Sequence, residues 1–201
     1  MKKLLILPAM AAMVLLLAGL VQGAAFLKIE GIEGESTDSA HEGEIDILSF
    51  SWGMSQSGVA QTARGGGAGK VSVQDLSISK YVDRASPALM EAVASGRHIS
   101  SATLELERRP IGDERVTYVK YELKNVLVTS YNVNWNASHA ESVPTEELSL
   151  NFEEIKVTYV EQELDGSAGG RLSFLWNFLK NIGGTEEESD NREPPVLTSR
   201  R

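Results

Sequence analysis

Three kinds of residue in this 201-residue chain could carry chemistry: paired carboxylates, histidines, and a glycine run that ends in lysine. Glu146-Glu147 and Glu153-Glu154 are adjacent pairs. Two carboxylates flanking one bond are the equipment of acid–base hydrolysis. Neighbours along a strand point to opposite faces, so neither pair converges on a reacting bond. Solvated strand edges are the plainer reading. His41, His98 and His139 are widely spaced. None stands at ligand spacing from another histidine or a carboxylate on one element, so no metal is expected. The chain has no cysteine, which excludes a disulfide framework, thiolate metal sites, a cysteine nucleophile and a lipoprotein anchor.

The glycine run is Arg64-Gly65-Gly66-Gly67-Ala68-Gly69-Lys70. A phosphate-binding loop needs G-x-x-x-x-G-K-[ST] followed by a helix whose amino end holds the phosphates. Arg64 stands where the first glycine should be, Val71 stands where the hydroxyl should be, and the next segment alternates like a strand. All three requirements fail, which leaves a glycine loop joining two strands. Residues 53–58, GMSQSG, imitate a nucleophile elbow, but Ser57 replaces the required glycine and no strand-to-helix turn is expected there. Neither an enzyme nor a cofactor is expected.

The elements that must position these residues are mostly strands. Residues 25–31, 45–55, 71–82, 99–108, 116–135 and 148–160 are β-branched or alternate in polarity. In 45–55, Leu48, Phe50, Trp52 and Met54 share a face, with Ser49 and Ser51 on the other. Phe50 and Trp52 are therefore expected in the core. Near Asn125 both faces of the strand become apolar, and the apolar parity also switches at Glu153-Glu154. Both sites predict bulges. One helix is expected over 85–98, with Ser86 as N-cap, Pro87 at the first position, Gly96 at the end, and Leu89 and Val93 facing the core. Residues 171–182 fit either an amphipathic helix or a terminal strand. The fold class that follows is mainly β, a sandwich or barrel with one packed helix.

Residues 1–23 carry two lysines, then an apolar stretch and small residues, the layout of a cleaved export signal. Cleavage is expected after Gly23 or Ala25. The net charge of −9 becomes −11 once those two lysines are lost. An acidic surface with no basic stripe is unsuited to nucleic acid. No stable membrane insertion is expected after the leader is removed. Residues 24–182 form the domain, and 183–201 read as an acidic disordered tail.

Several stretches together resemble the hemolysin-coregulated protein (Hcp) family: residues 44–58, EIDILSFSWGMSQSG, and 65–98, from GGGAGKVSVQDLSISKYVD onward. Residues 123–133 and 148–160 resemble its later strands, and Trp176-Asn177 its carboxyl end. The resemblance implies a β-barrel of two packed antiparallel sheets with a flanking helix. It implies homohexameric rings that stack into the inner tube of the type VI secretion system, with a spike protein at the tip and small effectors in the lumen. Gly65, Gly66, Gly67, Gly69 and Lys70 would then belong to a ring-stacking loop, and Ser49 and Ser51 would face the lumen. The leader departs from the family's pattern. It leaves open a second reading, an exported ring-forming module that acts outside the cytoplasm without that machine.

Overall fold

Alternating β-branched and aromatic residues leave one helix among the described elements of the chain. The computed structural model describes residues 23–56, 70–108, 116–135, 143–163 and 168–188. In order come β1 (Ala24–Ile29), β2 (Ile45–Asp46), β3 (Ser49–Ser51), β4 (Met54–Ser55), β5 (Ser72–Val73) and β6 (Leu76–Tyr81). Then follow α1 (Ser86–Ser95), β7 (His98–Arg108), β8 (Val116–Asn134), β9 (Thr145–Gln162), β10 (Ala168–Asn177) and β11 (Ile182–Glu188).

The strands form one nine-stranded antiparallel sheet, in the order β11-β10-β9-β8-β7-β1-β2, with β6 also pairing β9 and β3 pairing β6. The ribbon β4–β5 stands apart. The expected mainly β fold of antiparallel strands with one flanking helix is what the chain adopts, but no continuous ladder closes the described strands into a barrel. Residues 45–51 span the gap instead. Ile45 pairs with Leu27 of β1, and the Ile47 amide donates to the Ala25 carbonyl at 2.9 Å. The partner then changes, and the Leu48 amide donates to the Ser79 carbonyl at 2.9 Å. A stretch that reads as one strand is therefore three short ones. The change of partner also turns Leu48 out to solvent, and Met54 is exposed beyond it, while Phe50 and Trp52 pack on the core.

The core is built in rows that cross the strands, each made by residues directly opposite one another. One row is Leu27, Leu104, Tyr121, Val157 and Phe174. The next is Ile29, Ala102, Leu123, Ile155 and Trp176. Helix α1 buries Leu89 and Ala92, with Val93 partly buried against the core and Met90 exposed. Ser86 is the first helical residue rather than the cap. Its hydroxyl accepts from the Asp83 amide at 3.0 Å, and the Asp83 carboxylate accepts from the Ala85 amide at 2.8 Å. Gly96 closes the helix in the left-handed region.

The parity switches at Asn125 and Glu153 turn out to be one feature. In β7 the buried positions pass from Ile99 to Ala102, in β8 from Leu123 to Val126, and in β9 from Phe152 to Ile155. Each strand gains one residue at the same level, so the pairing register across the switch is unchanged. The only register shift between β8 and β9 lies further on, at Val128/Ser130. The result is a crease across three strands, with polar side chains on its outside. His98 Nδ1 and Asn125 Oδ1 are 2.8 Å apart, and Asn125 Nδ2 donates to Glu153 at 3.0 Å. Asn177 Nδ2 donates to the other Glu153 oxygen at 3.0 Å. These two amides hold the Glu153 carboxyl below the usual carboxylate range. Asn125 occupies φ +51°, a conformation asparagine tolerates better than most residues. Asn125→Ala is expected to cost about 1–3 kcal/mol for the strained backbone, and Asn125→Gly clearly less. Denaturant unfolding of the two variants checks this; equal costs would mean the lost hydrogen bonds dominate.

The expected disordered tail needs a matching correction. Residues 183–188 belong to β11, which pairs with β10 from Asn177↔Ile182 to Arg171↔Glu188. Gly183 makes this approach possible, since a Cβ there would lie 2.0 Å from the Leu175 carbonyl oxygen. Residues 189–201 lie outside the described residues, as do residues 1–22 of the leader. Residues 171–182 resolve as the end of β10 and a turn, so the strand alternative holds over the helix.

Candidate functional site

Glu146, expected at a solvated edge, is fully buried on β9 directly opposite Lys80 of β6, which is fully buried too. Lys80 Nζ lies 2.6 Å from Glu146 Oε1, a charge contact without the angle of an aligned hydrogen bond. The same ammonium donates to Asp83 Oδ1 at 2.7 Å and to the Tyr81 carbonyl at 2.8 Å. The Tyr131 hydroxyl of β8 donates to Glu146 Oε2. Burial, and then the bond to Glu146 and its charge, push the Tyr131 phenol up to about 12, so it remains a donor. One ion pair thus ties β6, β8 and β9 to the start of α1. It is shut off from solvent and holds structure rather than substrate.

His41 lies in the polar loop 33–44, which folds over the outer face of the sheet. Its ring stacks on Phe26 with centroids 4.1 Å apart. Nδ1 is 2.8 Å from Glu44, and Nε2 is 2.9 Å from Glu107 of β7. A carboxylate at each nitrogen calls for a proton on both, that is, an imidazolium. The carboxylates sit at opposite ends of the ring, so they do not converge on one cation. Among the described residues no group of three His, Cys, Asp or Glu could hold a metal ion. Burial disfavours the charged ring, but the bonds to Glu107 and Glu44 and their charges outweigh it and raise the pKa above the ordinary 6.5. A raised native pKa contributes stability that is complete below 6.5 and lost as pH climbs through the native value. The denaturant midpoint is therefore expected to fall over that interval. His41→Gln should flatten the slope; an unchanged slope would show that the clamp is neutral.

The predicted assembly residues lie apart from both clusters. Ser49 and Ser51 are exposed on β3. Phe50 and Trp52, between and beyond them, meet the Tyr121 ring at 5.6 and 6.4 Å. From there β4 and β5 continue as a ribbon, through Met54↔Val73 and Ser55↔Ser72, extended by the Gln74 amide bonded to the Gly53 carbonyl. Lys70 is exposed two residues before β5. Gly65, Gly66, Gly67 and Gly69 lie outside the described residues, as does His139. The serines thus lie on β3 within the main sheet, where it pairs with β6, and the chain passes from them into the separate β4–β5 ribbon. Two things escaped sequence reasoning, His41 with its two carboxylates and Lys80 with Glu146. Both depend on partners more than 60 residues away, and only the chemistry of a lysine in an otherwise apolar face of β6 pointed toward the second.

Comparison with known proteins assigns this architecture first to a class, components of the type VI secretion system. A family model described as "Type VI secretion system effector, Hcp" matches residues 26–159. Protein hcp1 of Pseudomonas aeruginosa is 46% identical over 158 residues, which is 78% of this chain and 96% of that protein. The crystal structure of Hcp1 from Salmonella typhimurium aligns with a TM-score of 0.65 at 32% identity, covering 80% of this chain and 98% of that one. A structure of a type six secretion system protein aligns with a TM-score of 0.74 at 27% identity, covering 81% and 99%. The chain belongs to the Hcp family.

Proposed function

We propose that this chain is a structural subunit that assembles into hexameric rings of the type VI secretion tube and leaves the cell with small effectors in the ring's lumen and a spike protein at the tube's tip. The observation that carries this reading is family membership over 96% of the length of Protein hcp1. The separate β4–β5 ribbon, Met54–Ser55 paired with Ser72–Val73, supports it as the stem of the proposed arm. The glycines at 65, 66, 67 and 69 would let that arm's backbone come close to an adjoining ring, with Lys70 at its base. Ser49 and Ser51 are the proposed lumen lining, since they are small, polar and exposed. Ser51→Trp is expected to abolish effector retention while leaving the ring's mass unchanged; retention equal to the parent's would remove β3 from the lumen.

The leader-like residues 1–23 favour a second reading, export of the ring without the injection machine. Among the described residues no helix is long and apolar enough to cross a membrane. Native mass spectrometry of cytoplasmic, periplasmic and medium fractions tests both readings. A hexamer that reaches the medium only when the injection machine is intact supports the tube. A hexamer beginning near Ala24, outside the cytoplasm regardless of that machine, supports the second reading. A monomer in every fraction sinks both.

A further inference from the structure

Strand β11 is held in an unusual way. It lies at the edge of the sheet, and every described side chain in it, residues 182–187, is exposed. Its described side chains bring nothing to the core, and it holds to β10 through the backbone ladder. The turn that leads to it is asymmetric. On its near side Phe178 is buried against Phe152, with centroids 5.8 Å apart, and its amide donates to the Glu153 carbonyl at 2.8 Å. The Lys180 amide donates to Asn177 Oδ1 at 2.8 Å. On the far side Asn181 sits at φ +53° and none of the described side chains of the strand is buried. Three apolar side chains around the turn are left uncovered: Leu175 at 37%, Leu179 at 68% and Ile182 at 61% exposure.

We propose that β11 exchanges between two copies of this chain, so that β11 of one copy completes the β10 edge of the other. A second copy is the occupant these features select. Its β11 offers the same ladder in the same register, from Asn177↔Ile182 to Arg171↔Glu188. Among the described residues of β11 no buried side chain has to be withdrawn, so the exchange replaces backbone bonds with identical ones. The backbone at Asn181 can leave the left-handed region once the chain runs straight past Lys180, and a tight, strained connection favours swapping of this kind. Two exchanged connections run beside each other, which covers Leu179 and Ile182 of both copies. Glycine at 183 is required in either arrangement, because the incoming strand passes the Leu175 carbonyl at the same distance.

The absence of native cysteine makes the test clean. Ser173 and Glu186 face each other across β10 and β11. Ser173→Cys is placed on one tagged chain and Glu186→Cys on a second chain with a different tag, and the two are produced together. Mild oxidation is expected to join the two introduced thiols, giving a reducible product of doubled mass that carries both tags, with the linked peptides found by mass spectrometry. The double variant in one chain is the geometric control and should oxidise in either arrangement. Closure of the double variant only within single chains, with no linked product from the mixed single variants, would overturn the exchange. Failure of the double variant to oxidise would overturn it as well, since β11 would then not lie on β10. Native mass of the same samples keeps this separate from the ring. Linked chains in a dimer would retain the exchange and sink the hexamer; a hexamer without inter-chain links would do the reverse.

Discussion

Lys80→Met is expected to lower stability by about 3–5 kcal/mol, the cost of leaving one partner of a buried pair uncompensated. Glu146 would remain fully enclosed, with only the Tyr131 hydroxyl beside it. Asp83 would lose the ammonium that balances it at the start of α1. Taking two charges out of water costs about as much as their attraction returns. The double variant Lys80→Met/Glu146→Leu should therefore recover most of the loss. The pair of measurements decides what the cluster is for. If the double variant is as stable as the parent and still assembles, the ion pair sets which residues meet rather than how tightly. If the single variant costs under about 1 kcal/mol, the value of an exposed pair, water must reach the cluster and its burial is not real. Tyr131→Phe offers a milder check, because it removes one donor to Glu146 and leaves Lys80 in place.

Phe152→Ala should cost a similar amount, about 3–5 kcal/mol, by the transfer and cavity terms of deleting a core aromatic. Its position makes the consequences spread. Phe152 lies just before the crease on β9 and touches two rings that lead outward. Trp52, 6.3 Å away, sits where the 45–55 segment leaves the core for the β4–β5 stem. Phe178, 5.8 Å away, anchors the turn before β11. Hydrogen exchange in Phe152→Ala is expected to accelerate at both 53–55 and 182–187, beyond the general loss of stability. Faster exchange at one of the two alone would mean that the arm and the last strand are not seated on a common residue. Phe152→Leu keeps most of the volume and should restore protection at both.

Much of the strand pattern could be read from alternation, since a sheet buried on one face repeats every second residue. The broken alternation at Asn125 and at Glu153-Glu154 was equally visible. That the two breaks are one crease, shared with β7 at Ser100-Ser101, was not, because periodicity describes each strand by itself and register belongs to the pair. The same limit explains Leu48 and Met54. They alternate with Phe50 and Trp52 as if on one strand, but the change of partner at Ile47-Leu48 ends that strand. The adjacent pair Glu153-Glu154 was expected to diverge. At the crease the two carboxylates turn to one side, and Asn177 Nδ2 reaches Glu153 at 3.0 Å and Glu154 at 3.4 Å. Lysine and glutamate ordinarily belong on the surface, so the burial of Lys80 and Glu146 contradicts composition. It becomes intelligible only once β6 and β9 are neighbours. The resemblance to the Hcp family, carried by residues 44–58 and 65–98, reached the family directly where the chemistry of single residues did not.

The crease also bears on how this protein can change over time. Ordinarily a strand accepts a gained or lost residue at the cost of its own register. Here β7, β8 and β9 each carry an added residue at one level, and each change of face is meaningful only because its neighbours make the same change. Deleting Asn125 alone would set Val126 and Val128 against solvent, or force β8 out of step with two partners at once. Repair would need matching deletions in three separate stretches of the gene, and no single step among them is neutral. Substitutions can drift through these strands, but their lengths at the crease cannot.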